Sequence, residues 1–540
     1  MKLFYNGMIY TMNADNSIAD AMIVEGDRVA AVGTRKDMEA LDVKEAEKID
    51  LQGKTVLPGL CDCHVHLKIL GETQNNLELH GKSKQEIIDM VAEKAKSMPP
   101  GEWILGMGWN QENWEEDSFP TRADLDPVTP DNPVRLTRYC GHAYWCNSKA
   151  LSLAGIEKPS DEVGQMGAEH FTDKEGRLTG TLVGESCEIL DRAVPSGDEK
   201  SDEQNYLLAQ EYLLKNGITA IMEKGAGAES ALMADCGRQA VRSLENLYKR
   251  QEMKLRIHES IVGIDEYFDD CFAEGPRKDM YGDRLTIGGI KLWADGAFGA
   301  RTAYISEDYK DRPGERGNRK FTDDELIALF RKADEKGLQI AVHAIGDACC
   351  AQILDCYEKA FKDSPEKDRR FIIDHFHAPK TSDIDRMIKN KIILSTQFIQ
   401  FATDVDMLGD IIPQSMMENL YPWRQVIEKG GTMCNGSDTP VDSAEPFKAL
   451  YVAVTRCNLN GKNNLEKPPL QPLTRIEALR AYTTEAAYAR CEEDNAGSLE
   501  KGKLADFIVI DRDYFRCPVE EIKEIKVLQT FLGGEKVYQN

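Results

Sequence analysis

No stretch of this chain approaches the roughly 20 consecutive apolar residues that span a bilayer, and Met1-Lys2-Leu3-Phe4-Tyr5-Asn6-Gly7 lacks the apolar core of a secretory leader. Neither a membrane span nor export is expected, and the cytoplasm is the expected compartment. Basic charge is also scarce: 67 Lys and Arg stand against 92 Asp and Glu, a net charge of −25. Nucleic acid and anionic membrane both demand clustered cations, so neither is an expected partner. The 14 cysteines form no paired CxxC units. Several (Cys61, Cys63, Cys434) sit inside apolar runs, which suits buried reduced thiols. No GxGxxG opens a strand–helix turn, so the dinucleotide-binding fingerprint is missing. Histidine is sparse too, nine in 540 residues, which makes the positions of those nine informative.

What is present is an alternation of short apolar runs and helical stretches in a chain long enough for two or three structural units. Residues 1–57 read as short strands, Leu3-Phe4-Tyr5, Met8-Ile9-Tyr10, Ala21 to Val24 and Val29 to Val32, separated by the turn signals Asn6-Gly7 and Glu25-Gly26-Asp27. Residues 491–540 have the same texture, with runs at Asp506 to Ile510, Val527 to Leu532 and Val537-Tyr538. The two ends are expected to form one small β-sandwich domain. Between them, residues 58–490 carry eight strand-like runs, from Val56–His66 and Gly217–Met222 through Leu255–Val262, Ile287–Trp293, Leu338–His343, Phe371–His375 and Ile392–Gln397 to Thr432–Gly436. Helical patterns intervene, such as Asp323 to Lys336 with Leu326, Leu329, Phe330 and Ala333 at helical spacing. Eight strands alternating with helices predict a parallel (β/α)8 barrel of the TIM type, with an open doubly wound sheet as the runner-up. The interval of about 67–210 is too long for one connection and predicts an insertion.

Four histidines fall at the ends of predicted barrel strands. His64 and His66 close the first and, one residue apart, face the same way in an extended strand. His343 ends the fifth and His375 the sixth, while Asp438 follows the eighth. Polar side chains at C-terminal strand ends converge on the face where such barrels build their sites. Imidazole with carboxylate is a donor set for a divalent metal. Lys291, in Ile290-Lys291-Leu292 of the fourth strand, has two readings: a core-edge lysine reaching solvent, or one pointing inward beside metal. In the second, burial and neighbouring charge favour the neutral amine, which can take up carbon dioxide and bridge two ions as a carbamate.

The motifs Pro58-Gly59…Asp62-Cys63-His64-Val65-His66, Lys291 before Asp295-Gly296, Val342-His343-Ala344-Ile345-Gly346-Asp347, Asp374-His375 and Gly436-Ser437-Asp438-Thr439-Pro440-Val441 together resemble the amidohydrolase superfamily. Within it the chain is most similar to the amidohydrolase-3 family that includes N-substituted formamide deformylases. Gly141-His142-Ala143, Asn147-Ser148, Gly299-Ala300-Arg301-Thr302-Ala303 and Gly497-Ser498-Leu499-Glu500 extend the likeness almost end to end. The resemblance implies that His64, His66, His343, His375 and Asp438 are metal ligands and that Lys291 is the bridging carbamate. It also implies one or two divalent ions, zinc fitting best. One departure is local: where the family has Glu-His-Ala, this chain has Asp374-His375-Phe376-His377. His375 is favoured as ligand, with His377 left as a neighbouring or substrate contact.

The implied reaction is hydrolysis of a non-peptide carbon–nitrogen bond of a small molecule, with Asp438 as both ligand and general base. His142, Arg301, Trp109 and Asn110 are candidate substrate contacts, each with packing or a structural ion pair as the alternative; Glu185 is a further neighbour. N-acylamino acid deacylation, cyclic amide opening, ester hydrolysis and a non-catalytic binding role are the competing functions. A small molecule is the expected partner and a homodimer the expected assembly.

Overall fold

The computed structural model describes residues 1–41, 45–111, 114–115, 118–139, 141, 143–156, 172–183, 186–195, 198–226, 234–262, 266–364, 367–465 and 472–540. The chain divides into two compact units, residues 1–68 with 203–540, and residues 69–202.

The larger unit contains the expected barrel. Its eight strands are Leu60–Val65, Ile218–Ala226, Arg256–Val262, Leu285–Trp293, Gln339–Ala344, Ile372–His375, Ile393–Thr396 and Met433–Asn435. Each pairs in parallel with the next in chain order. They read as apolar runs because a parallel sheet is buried on both faces: all six residues of Leu60–Val65 and all four of Ile372–His375 are buried. The helix Asp323–Glu335 starts where Thr322 caps it reciprocally with Glu325, and it buries Leu326, Phe330 and Ala333.

Both ends of the sequence feed one eight-stranded sheet. Its order is Glu535–Gln539, Val527–Leu532, Phe507–Ile510, Thr55–Pro58, Lys2–Tyr10, Ile18–Glu25 and Arg28–Gly33, with Glu47–Asp50 also against Lys2–Tyr10. Phe507 and Phe531 stack with ring centroids 4.4 Å apart, and Phe4 meets Phe507 edge-on at 5.0 Å. The sheet is tied to the barrel by Asp506, which takes a bidentate pair from buried Arg256 at 2.6 and 3.1 Å.

Two expectations about these strands need correction. The run Val56–His66 is two strands: Thr55–Pro58 pairs with Phe507–Ile510 in the terminal sheet, and Leu60–Val65 opens the barrel. The break falls at Gly59, whose N–H turns to the Asp506 carbonyl at 2.8 Å. Asn6-Gly7 is not a hairpin turn. Lys2–Tyr10 is one strand with a register shift between Tyr5 and Ile9, where Asn6 takes φ 58°, so the turn signal marks a bulge.

The smaller unit holds a five-stranded sheet ordered Thr181–Val183, Ala143–Cys146, Val134–Arg138, Ile104–Trp109 and Leu77–Glu78. Its core gathers Trp109, Trp114, Trp145 and Leu136. Among the described residues no helix is long and apolar enough to cross a membrane, and the described cysteines are free thiols.

Candidate metal centre

Closing the barrel assembles the site. The Asp438 N–H donates to the His64 carbonyl at 2.7 Å, and the His66 N–H to the Thr439 carbonyl at 3.0 Å. The first and eighth strands therefore meet at the candidate ligands His64, His66 and Asp438. Gly436 permits the approach: a β-carbon there would stand 2.4 Å from His64 N and 2.5 Å from its Cβ.

His64 and His66 turn the same way, and both reach one carboxylate oxygen, Asp438 Oδ1, through Nε2 at 3.3 and 3.1 Å. His375 comes from across the barrel, its ring centroid 5.0 Å from that of His64. One ligand atom each from His64, His375 and Asp438 lies within 4.8 Å of the others. His343 packs on His375 with centroids 4.4 Å apart. Its Nε2 faces the Gly296 carbonyl at 3.0 Å, which assigns the proton to Nε2 and leaves the Nδ1 lone pair for an ion. His375, Phe376 and Asp438 have φ of 76°, 54° and 64°. Left-handed conformation in such residues costs about 1–3 kcal/mol each, and here it re-aims two of the candidate ligands.

The protonation states suit a cation. Burial, helped by the charge of Lys291, brings His64 down to about 4 and His343 to about 3. Burial and the His343 charge hold His375 well below the usual imidazole range. Burial lowers His66 too, but its hydrogen bond to Asp438 and the charges of Asp438 and Glu223 together outweigh this and leave it raised. Burial alone would raise Asp438; the His64 charge and the His66 hydrogen bond prevail and hold it far below the usual carboxylate range. An ionised carboxylate therefore sits among mostly neutral imidazoles, and the buried Nδ1 atoms of His66 and His375 have no hydrogen-bond partner. Lone pairs without donors around a fixed negative charge fit a divalent ion.

Lys291 points into the barrel and is fully buried, so the reading in which it reaches solvent fails. Its ammonium contacts Asp374 Oδ2 directly, while Asp374 Oδ1 lies 3.4 Å from His64 Nδ1 and 3.5 Å from Lys224 Nζ. Burial lowers the Lys291 pKa and Lys224 acts in the same direction, against Asp374. Burial would raise Asp374, but Lys224 and Lys291 pull it well below the usual range.

Sequence reasoning met Asp62, Asp295 and Asp374 only inside motifs and gave them no role, and it did not name Lys224. Asp62 Oδ1 accepts the N–H groups of Ser437 at 2.8 Å and His64 at 3.1 Å, bracing the closure seam. Asp295 accepts three N–H groups, from Ile345, Gly346 and Tyr304, and lies 3.4 Å from His343 Nε2. Asp62 was findable, since strand alternation puts it on the face of His64. Lys224 carried no comparable signal.

The expected substrate contacts fare differently. Trp109 is a packing residue: it is fully buried, its ring meets Trp114 and Trp145, and its indole N–H donates to the Leu136 carbonyl at 2.8 Å. Trp109→Phe is expected to lower stability by about 1–3 kcal/mol through the lost hydrogen bond and the smaller buried ring, read by urea unfolding, with KM unchanged. Asn110 Oδ1 accepts from Arg138 at 3.2 Å. Arg301 commits its fork to Asp311 and to the Gly299 carbonyl, so the structural ion pair holds and no free guanidinium is presented. His142 and Glu185 lie outside the described residues.

The chain is 29% identical over 99% of both sequences to the Bacillus subtilis (strain 168) protein YtcJ, which bears an amidohydrolase name. It is 27% identical to the N-substituted formamide deformylase of Arthrobacter pascens, over 99% of this chain and 98% of that one. An uncharacterized metal-dependent hydrolase from Pyrococcus horikoshii OT3 superposes with a TM-score of 0.78 at 26% identity, over 96% of this chain and 99% of the other. The sequence model of the Amidohydrolase family matches residues 47–538. With a (β/α)8 barrel whose closure gathers His64, His375 and Asp438 into a cluster able to hold a divalent ion, the chain belongs to the amidohydrolase family.

Proposed function

We propose that this enzyme hydrolyses a linear, non-peptide amide of a small molecule, with zinc as its cation. The observation that carries the reading is Asp438, shared by His64 and His66 at Oδ1 and held at Oδ2 by Gln400 Nε2 at 2.9 Å. His64, His66, His343, His375 and Asp438 are the residues that hold the ion. When bound, a divalent ion supplies an acidified water and polarises the scissile carbonyl. Asp438 takes the proton of the attacking water at Oδ2 and returns it to the departing nitrogen. Gln400 fixes that oxygen in place and keeps it from rotating between the two transfers. The deformylase name of one relative supports the same bond class.

In a binuclear form Lys291 would leave Asp374 and, carbamylated by carbon dioxide at Nζ, would help hold the second ion, with Lys224 remaining as counter-charge to Asp374. Metal analysis with intact-mass measurement reads this: two equivalents with one added carbon dioxide per chain for the binuclear form, one equivalent with unmodified Lys291 for the mononuclear form. A cytoplasmic enzyme with a small-molecule substrate, no nucleic-acid or membrane partner and a homodimeric assembly completes the reading.

The test is a turnover panel on metal-replete protein: N-substituted formamides, N-acylamino acids, cyclic amides and aryl esters. Linear amides are expected to dominate. Dialysis against a chelator is expected to remove metal and turnover in parallel and to lower Tm, with zinc restoring both. Full metal loading without hydrolysis of any amide sinks the proposal.

A further inference from the structure

Among the described residues three arginines are buried, Arg256, Arg456 and Arg490, at 2%, 0% and 6% exposure. Two of them are answered. Arg256 makes its bidentate pair with Asp506. Arg456 donates to the Leu420 and Tyr421 carbonyls at 2.9 and 3.1 Å and stands 4.1 and 4.4 Å from the ring centres of Phe401 and Trp423. Arg490, at the C-terminal end of the helix Thr484–Ala489, has nothing comparable. Among the described residues its guanidinium donates to no acceptor and has no carboxylate oxygen within 4 Å, and its Nε is buried without a partner. A buried charge with no counter-charge is a cost that only an opposite charge removes.

The same side chain lines a small cavity at the N-terminal ends of the first two barrel strands, away from the strand ends that carry the metal-site residues. The cavity holds about 20 Å³, room for one water or one halide ion and too little for phosphate. Gly59, Cys61, Thr219, Thr483, Ser498 and Asp506 make much of the remaining wall. Its hydroxyls are spent: Thr219 donates to the Leu60 carbonyl at 3.3 Å, Thr483 to the Leu479 carbonyl at 2.8 Å and Ser498 to Glu500 at 2.5 Å. Asp506 is neutralised by Arg256 and also accepts the Gly533 N–H at 2.7 Å. Glu492 and Glu493, just past Arg490 in sequence, accept from Asn495 at 3.4 Å and from Arg370 at 2.6 Å instead. The free charge left on this wall is therefore positive. A water in the cavity would leave it uncompensated, whereas an anion neutralises it.

We propose that Arg490 and this cavity form a binding site for one small inorganic monoanion of halide size, such as chloride. The ion would sit at the seam between the terminal sheet and the barrel, with Gly59 and Asp506 on the side of the sheet and Cys61 and Thr219 on the barrel strands. Its effect is accordingly on stability, and the site stands independently of the hydrolytic reading.

The experiment measures Tm of metal-replete wild type and Arg490→Met at one scan rate, in sodium gluconate and with chloride replacing gluconate at constant ionic strength. Constant ionic strength holds general screening fixed. In parallel, crystals of wild type soaked in bromide are read for anomalous scattering at the cavity. Wild type is expected to gain at least about 2 °C in chloride over gluconate, with saturation, and to show a bromide peak beside the Arg490 guanidinium. Arg490→Met keeps the length of the side chain without its charge, and is expected to unfold at the same temperature in both salts. A chloride gain of equal size in the two proteins overturns the site and leaves Arg490 to water or to the Cys61 thiolate. A bromide peak without a chloride gain in wild type overturns it as well, as an adventitious ion only. If Arg490→Met does not fold, wild type decides alone: peak and gain together support the site, and absence of either overturns it.

Discussion

Asp438→Asn is expected to lower kcat on the best amide by about 10³-fold or more. The carboxamide keeps the shape of the side chain and its contact with Gln400, but it cannot accept the proton of the attacking water or deliver one to the leaving nitrogen. Since kcat and kcat/KM report the loss of a step made only in the transition state, both should fall together. The substitution also removes the fixed negative charge that His64 and His66 share at 3.3 and 3.1 Å. Rates are therefore compared at matched metal occupancy, measured on the same samples. Near-normal turnover with metal fully bound excludes Asp438 as the base.

The second large effect is on stability. Asp374→Asn leaves Lys291 and Lys224, both fully buried, facing one another across a neutral group. Removing one member of a buried ion pair costs about 3–5 kcal/mol, to be read from urea titrations of wild type and variant. The pH dependence has a definite sign. The folded pKa of Asp374 is depressed, so its contribution is fully present above the unfolded value of about 4 and is lost as pH falls toward the folded one. The gap between the two proteins should be widest near neutrality and close in acid. Adding Lys224→Met to Asp374→Asn removes one uncompensated charge and should recover part of the loss. Equal stability of all three proteins at neutral pH contradicts the network.

The parts of this architecture that were readable in the sequence share a cause. Strand alternation sets His64 and His66 on one face, and barrel topology sends the ends of the fifth, sixth and eighth strands to the same rim, so residue spacing alone juxtaposes them. The parts that escaped depend on where a chain of one texture changes partners. Val56 and Leu60 look alike, yet Thr55–Pro58 lies in the terminal sheet and Leu60–Val65 in the barrel. Trp109 had the composition of a pocket residue, but in its unit three tryptophans and Leu136 make a core. Arg301 offered a fork whose acceptor, Asp311, lies ten residues on, where spacing gives no warning. The Lys224–Asp374–Lys291 charge network crosses the barrel between strands two, four and six, and only the closed fold brings those positions within reach.

The terminal sheet has a consequence in time. Thr55–Pro58 is flanked by Met8-Ile9 on one side and by Phe507–Ile510 on the other. During synthesis at about 5–20 residues per second, the ribosome adds about 450 residues before the second neighbour emerges, an interval of tens of seconds. Through that interval a strand that ends with Val56 and Leu57 fully buried offers an open, apolar edge to any other nascent chain. Residues 507–510, far from the barrel's first strand in sequence, are what covers that edge.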